Sequence, residues 1–318
     1  MTFSSVTKNE ISKIAVTNKC CQLALLSALI KMTGTLQIHG VERIGITLST
    51  ENASIARMLF SLLKNCFDIN TRVIVRKNRH LKKNNNYTLY IDSDMGSHEI
   101  LKMTGILQES DKGMKLNHKL PHYLIKKACC RKAYLRGIFL GSGSISDPEK
   151  TYHLELVTNN ESFAEDIKDL MNHYQLGAKV VMRKGNFVVY IKEGENIVNF
   201  LNIIGAHNAL LKLENIRIYK EMRNNVNRIV NCETANLDKT LNAALRQIEN
   251  IEYIKNTIGL NKLPEGLAEV AELRLEFRDA TLKELSEMMS PAIGKSGVNH
   301  RLRKLEQIAE NLRDRHRE

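Results

Sequence analysis

The chain has 318 residues, 43% of them hydrophobic, 5% aromatic and none tryptophan, enough apolar material for two or three cores of Leu, Ile, Val and Met and too much for a disordered polymer. No apolar run reaches the roughly 18 to 20 residues that span a bilayer, and the start, MTFSSVTKNEISKIAV, lacks the apolar region of a secretory leader, so the expected place is the cytoplasm and a membrane is not an expected partner. The formal net charge of +12 is uneven: residues 1–120 hold 17 basic against 9 acidic side chains and residues 263–318 hold 10 against 11, which points to nucleic acid as the polyanionic partner.

In chain order, Ala15 to Thr33 reads as an apolar helix ending at Gly34. Ile44, Ile46 and Leu48 alternate as a strand. Ser49 to Asn52 opens a helix carrying Ile55, Met58, Leu59, Leu62 and Leu63. Thr71 to Lys77 and Tyr87 to Asp92 flank a polar loop as a hairpin, and a last helix holds Ile100, Leu101 and Ile106. The order then repeats. A helix from about Pro121 to Leu140 closes at Gly141-Ser142-Gly143, a strand covers Tyr152 to Val157, and a helix starts near Asn160. A hairpin turns at Lys184-Gly185-Asn186, and a final helix runs from about Glu195 to Ile204.

The repeat is visible in the letters. LSALIKMTGTL (Leu26 to Leu36) and LRGIFLGSGSI (Leu135 to Ile145) lie 109 positions apart, and the same offset relates Cys20-Cys21 to Cys129-Cys130, Ala28 to Gly137 and Gly34 to Gly143. The second hairpin has the shorter turn, so the offset drops to 100 and Tyr87–Asp92 matches Phe187–Lys192. A lone half would leave a helix flank and a sheet edge uncovered. Two halves packed through their first helices, with small residues at the contact, resolve this. The expected fold is α+β, a pseudo-twofold pair of α/β halves with antiparallel sheets at 1–120 and 121–222, followed by an all-α tail. That internal pairing makes a monomer the expected state. The six cysteines contain no C-x-x-C pair, and neighbouring helical residues point about 100° apart. The cysteine pairs are therefore read as small apolar residues of a repeated helix, with no metal and no cofactor expected.

Residues 223–262 read as a helical linker. Its Asn-rich stretch, Arg223 to Thr240, predicts a break near Asn224-Asn225 or Asn231, with Arg223 and Arg228 as candidate phosphate contacts. Residues 263–318 read as a helix-turn-helix domain. A first helix runs from Pro264 to near Arg278, and a capping box, Thr281 to Glu284, opens a second that ends at Met289. Ser296 is the expected N-cap of a third helix reaching about Leu312. On a helical wheel Val298, Leu302, Leu305, Ile308 and Ala309 share one face, and Ser296, His300, Arg303 and Lys304 the opposite one. That is the pattern of a recognition helix. Arg303 suits guanine and Asn299 adenine, while Lys295, Arg301 and Lys304 suit phosphates. A second basic patch, Arg72, Arg76, Lys77, Arg79, His80, Lys82 and Lys83, lies on and beyond the first hairpin. Its counterpart keeps only Lys179, Arg183 and Lys184, an uneven saddle.

Both repeated segments resemble LAGLIDADGSI, the signature helix of LAGLIDADG homing endonucleases. The resemblance implies an acidic metal ligand at the eighth position, but Thr33 and Ser142 stand there, and Lys31 and Leu140 stand at the sixth. Hard divalent cations need carboxylates at the phosphate, so no catalytic residue and no nuclease activity are expected. Together with the tail, the whole chain resembles the WhiA family of bacterial transcription regulators. The resemblance is carried by Tyr134–Pro148, by Asn227–Asn236 (NRIVNCETAN) and by Ser296–Leu305 (SGVNHRLRKL). It implies control of sporulation or cell division, with the helix-turn-helix as main reader of double-stranded promoter DNA at the nucleoid and the nuclease-like part as inert scaffold. Another transcription factor or RNA polymerase is a further expected partner. Two other readings stand beside it: a nucleoid-coating or protein-interaction module with little sequence preference, and an active endonuclease.

Overall fold

In the computed structural model, which describes residues 2–38, 44–77, 85–110 and 113–315, the chain opens with a helix not anticipated from its sequence, α1 (Phe3–Ile11). Thr2 caps it by accepting the Ser5 N–H. The helix seen as starting at Ala15 starts at Lys19: α2 (Lys19–Thr33) is buried at every position from Ala24 to Ile30. A helix with no polar face has to be enclosed. It feeds directly into β1 (Gly34–Ile38), which precedes β2 (Ile44–Thr50). Asn52 then caps α3 (Ala53–Phe67) by accepting the N–H groups of Ser54 and Ile55. A hairpin, β3 (Arg72–Lys77) and β4 (Asn85–Ile91), and α4 (Ser97–Met103) complete the first repeat. Ile106, assigned above to this last helix, lies beyond it, just before a small unanticipated hairpin, β5 (Leu107–Ser110) and β6 (Gly113–Leu116).

The second repeat follows as α5 (Ala128–Ser142), β7 (Gly143–Ile145), β8 (Leu154–Thr158), α6 (Glu161–Asn172), β9 (Lys179–Arg183), β10 (Asn186–Ile191) and α7 (Gly194–Ile204). The helix expected from Pro121 begins only at Ala128, because His122–Ile125 forms a separate short 3-10 turn. Both four-stranded sheets are antiparallel with the same order, β1-β2-β4-β3 and β7-β8-β10-β9. The register confirms the duplication residue by residue: Leu48 pairs with Leu89 and Leu156 with Val189, so β4 and β10 stand 100 positions apart. One core runs through both halves, from Leu25, Leu48 and Leu59 in the first to Phe139, Leu156 and Phe200 in the second. The seam between them is α2 against α5. A Cβ on Gly137 would sit 2.7 Å from the Ala28 Cβ and 2.7 Å from the Leu25 carbonyl oxygen, so only glycine permits this approach.

Helix α8 (His207–Thr257) follows, 51 residues long. Its first turn is capped from a distance, since the Glu10 carboxylate accepts the N–H groups of Asn208 and Ala209. The expected break at the asparagines does not occur. No Gly or Pro stands between Gly205 and Gly259, and the weak helix preference of each Asn costs only about 0.5 kcal/mol, less than interrupting the hydrogen-bond ladder. Residues 221 to 242 are exposed throughout.

Two compact units emerge, residues 1–220 and 221–318. The second contains α9 (Glu265–Glu276), α10 (Leu282–Met288) and α11 (Lys295–Arg315), which enclose Val270, Leu285, Met289, Val298, Leu302 and Leu305 together with Ile251 and Ile254 from the end of α8. The capping box forms, with the Thr281 hydroxyl accepting the Glu284 N–H and the Glu284 carboxylate accepting the Thr281 N–H. Helix α11 starts two residues earlier than expected, at Lys295. The Gly294 carbonyl accepts its first hydrogen bonds, so Ser296 lies inside the first turn and is not the N-cap.

Candidate nucleic-acid interface

Helix α11 buries Val298, Leu302, Leu305 and Ala309 against α9 and α10. This orientation follows from its apolar stripe and leaves Lys295, Ser296, His300, Arg303 and Lys304 exposed, with Asn299 half-buried at the margin. Arg301 is turned away from that set. Its guanidinium donates to the Gly266 carbonyl at 3.1 Å and so braces α11 on the start of α9. The supporting framework is tight. Buried Arg274 donates to the Ala280 carbonyl at 2.6 Å, spanning the turn before α10, and burial lowers its pKa. Arg313 lies over the Tyr253 ring at 4.9 Å.

The hairpin residues belong to the other unit, residues 1–220. Strand register divides them. Arg72 lies opposite Tyr90 and Arg76 opposite Asn86, and these four share the sheet face turned away from the helices. Lys77, opposite Asn85, points to the other face. Arg79, His80, Lys82 and Lys83 lie outside the described residues. In the second sheet Lys179 lies opposite Tyr190 and Arg183 opposite Asn186, the same two cation pairings at equivalent places. On this outward face each hairpin thus carries two strand cations, Arg72 and Arg76 in the first repeat and Lys179 and Arg183 in the second. The second sheet adds one acid to this face. Glu155 accepts from the Ser144 hydroxyl at 3.0 Å and lies 3.4 Å from His153 Nε2, whose ring is 5.9 Å from Tyr190. Arg223 and Arg228 are exposed on α8, but their spacing puts them about 140° apart around the helix, on different faces.

The two signature positions lie half-buried at the C-terminal end of the seam. The Thr33 hydroxyl donates to the Leu29 carbonyl at 2.8 Å, and the Ser142 hydroxyl to Met32 Sδ at 3.1 Å and the Ile138 carbonyl at 3.4 Å. A cleft of about 970 Å³ opens there, lined by Thr33, Gly141 and Ser144 and by Lys8 and Glu51. Burial lowers the Lys8 pKa to about 8, and its ammonium lies 5.9 Å from the Phe139 ring centre. The cleft thus holds one amine, Lys8, and one carboxylate, Glu51, among its lining groups. Lys31, from the sixth signature position, is also lowered to about 8 by burial, against the opposing pull of Asp166. It lies over the Phe163 ring at 4.9 Å.

Sequence reading missed two features: α1 with Lys8, and a cluster at the N-terminal end of the same seam. The sulfurs of Cys20, Cys21, Cys129 and Cys130 all lie within 4.8 Å of one another. The expectation that adjacent cysteines could not share a site is corrected. Sulfurs 100° apart on one helix are still close, with Cys129 and Cys130 Sγ atoms 3.9 Å apart, and two helix starts meeting at the axis bring all four together. The identical offset of the two pairs was the available signal, once combined with side-by-side packing of α2 and α5.

A duplicated LAGLIDADG-type scaffold carrying a helix-turn-helix domain is the class this architecture defines. Residues 19–107, 131–223 and 226–309 match, in that order, the WhiA N-terminal LAGLIDADG-like domain, the WhiA LAGLIDADG-like domain and the WhiA C-terminal HTH domain. The chain belongs to the WhiA family. It is 58% identical over 313 residues to the "Probable cell division protein WhiA" of Alkaliphilus metalliredigens, covering 98% of this chain and 99% of the relative. To the Clostridium acetobutylicum protein of the same description it is 54% identical, with the same coverage of each chain. The crystal structure of full-length DUF199/WhiA from Thermatoga maritima superimposes with a TM-score of 0.59 at 26% identity, covering 98% of this chain and 99% of that one. Among the described residues no helix is long and apolar enough to cross a membrane.

Proposed function

We propose that the chain is a sequence-specific double-stranded DNA-binding regulator of transcription, in the cell-division setting that the description of its relatives suggests and the sporulation setting that the family resemblance implies, built on a catalytically inert endonuclease scaffold. The observation that carries the reading is the exposed face of α11. Lys295, Ser296, His300, Arg303 and Lys304 project from a helix whose opposite face is locked into α9 and α10, which is how a recognition helix presents its first turns to a major groove. Arg303 and Asn299 read base edges in this proposal, and Lys295 and Lys304 hold phosphates. Arg301 acts by positioning α11. The outer sheet faces, with Arg72, Arg76, Lys179 and Arg183, add phosphate contacts, supplemented by Lys77, Arg79, Lys82 and Lys83 and by Arg223 and Arg228. Inertness is read from Thr33 and Ser142, neutral hydroxyls where carboxylates are needed, and from Lys8, whose ammonium lines the same cleft and opposes a divalent cation there.

The test is a gel-shift titration on genomic promoter fragments selected by binding to the full chain. The double variant Arg303→Ala, Lys304→Ala is expected to lose about ten- to several-hundred-fold in affinity for the selected fragment, and to bind random-sequence DNA only slightly more weakly. Unchanged affinity for the selected fragment would remove α11 as the reader. Equal affinity of the wild-type chain for selected and random DNA would favour a coating protein with little sequence preference.

A further inference from the structure

We propose that Cys20, Cys21, Cys129 and Cys130 form a structural zinc site that ties the two repeats together at the N-terminal end of their shared seam. The four sulfurs lie within 4.8 Å of one another. A tetrahedral zinc with Zn–S bonds of about 2.3 Å places its sulfurs about 3.8 Å apart, and Cys129 and Cys130 already stand at 3.9 Å. An iron–sulfur cluster interposes further iron and sulfide between its thiolates and needs a wider set. An all-thiolate donor set selects a soft or borderline metal over magnesium or calcium.

The positions are equivalent in both repeats. Each pair occupies the second and third residues of its helix, after Lys19 in α2 and Ala128 in α5. Neither Asn18 nor Lys127 caps its helix with a side chain, so the positive ends of two 15-residue helices converge on the sulfurs. Zinc bound to four thiolates carries a net charge of −2. The helix starts, with Lys19, Lys127, Arg131 and Lys132 beside them in the chain, offset it. Simple packing does not account for the cluster. Cys21 and Cys130 are buried, but Cys20 and Cys129 are exposed, and small apolar filler belongs inside. The fold therefore carries a metal at the opposite end of the helices from the one where a homing endonuclease uses it, for cohesion between repeats. This inference is independent of the DNA reading.

The experiment begins with metal analysis of the full chain purified under reducing conditions without added metal or chelator. About one zinc per chain is expected. The metal-stripped, reduced protein titrated with cobalt should saturate at about one equivalent with the intense thiolate-to-cobalt charge-transfer band and visible d–d bands of a tetrahedral site. Cys20→Ser with Cys129→Ser, the exposed pair, is expected to lower zinc content at least about tenfold, while Cys232→Ser leaves it unchanged. Because the cobalt titration uses the wild-type chain, misfolding of the double variant cannot mask the answer. Zinc below about a tenth of an equivalent as isolated together with no tetrahedral cobalt spectrum overturns the proposal. Stoichiometric iron overturns it as well, as does non-reduced protein lighter by four hydrogens with peptides cross-linked between the cysteine pairs, which would mean two disulfides.

Discussion

The ammonium of Lys8 sits at the mouth of the seam, and burial lowers its pKa from 10.5 to about 8. The sign of the consequence is fixed. Below about pH 8 the folded chain holds the charge and bears the full desolvation penalty. Between about 8 and 10.5 the unfolded chain binds a proton that the folded chain has released, so stability rises with pH through that window. Lys8→Met removes the penalty. It is expected to stabilise the protein at pH 7 by on the order of 1–3 kcal/mol, with the gain shrinking as pH approaches 10.5. Thermal melts of both proteins at pH 7 and pH 10 check this, and a variant melting below wild type at pH 7 would show that the buried charge does not destabilise. Lys31 titrates in the same direction, so wild type and variant both retain part of the slope. Neither lysine was recognisable as buried from its neighbours in sequence, since burial here comes from elements distant in the chain, α5 over Lys8 and Phe163 of α6 over Lys31.

Among elements, the strands with alternating apolar residues were readable because one face must meet a core, as Ile46, Leu48, Leu154 and Leu156 do. The short strands β1 and β7 were not readable. They directly follow helices, and Gly34 and Gly143 signal an ending without saying what comes next. Helix α8 misled for the opposite reason: local asparagine preferences are weak beside an unbroken ladder of fifty residues without proline or glycine. The seam between α2 and α5 is the element contact most sensitive to substitution. Gly137→Ala forces a Cβ to within 2.7 Å of the Leu25 carbonyl oxygen, a backbone atom that cannot swing aside. Such overpacking costs about 1–3 kcal/mol, which a lowered denaturant midpoint at unchanged slope would register. An unchanged midpoint would mean that the seam can relax at this point.

For the molecule as a whole, two cores are present among the described residues, one within residues 1–220 and one within 221–318. Separate cores joined by one continuous helix predict two calorimetric transitions. Gly137→Ala should move one transition and leave the other in place, whereas a single transition displaced as a unit would indicate that the units unfold together. The overall plan was legible in the sequence, because a repeat and a helix-turn-helix pattern announce themselves in spacing. Spacing paired Ala28 with Gly137 at the axis of the repeat, but it did not convey that an amine enters the cleft at one end of the seam or that four sulfurs converge at the other.

The contact of Ala28 with Gly137 has one more implication. These two positions are equivalent in the repeat, so each faces its own counterpart across the axis. Two identical chains meeting on a true twofold would have to set alanine on alanine, with no room, or glycine on glycine, with a gap. Joining both halves in one polypeptide frees them from that constraint: one supplies the methyl and the other the hollow that receives it. At this spacing the first half clashes with a copy of itself and the second leaves a void, so the unlike pairing of the two halves is the one that packs.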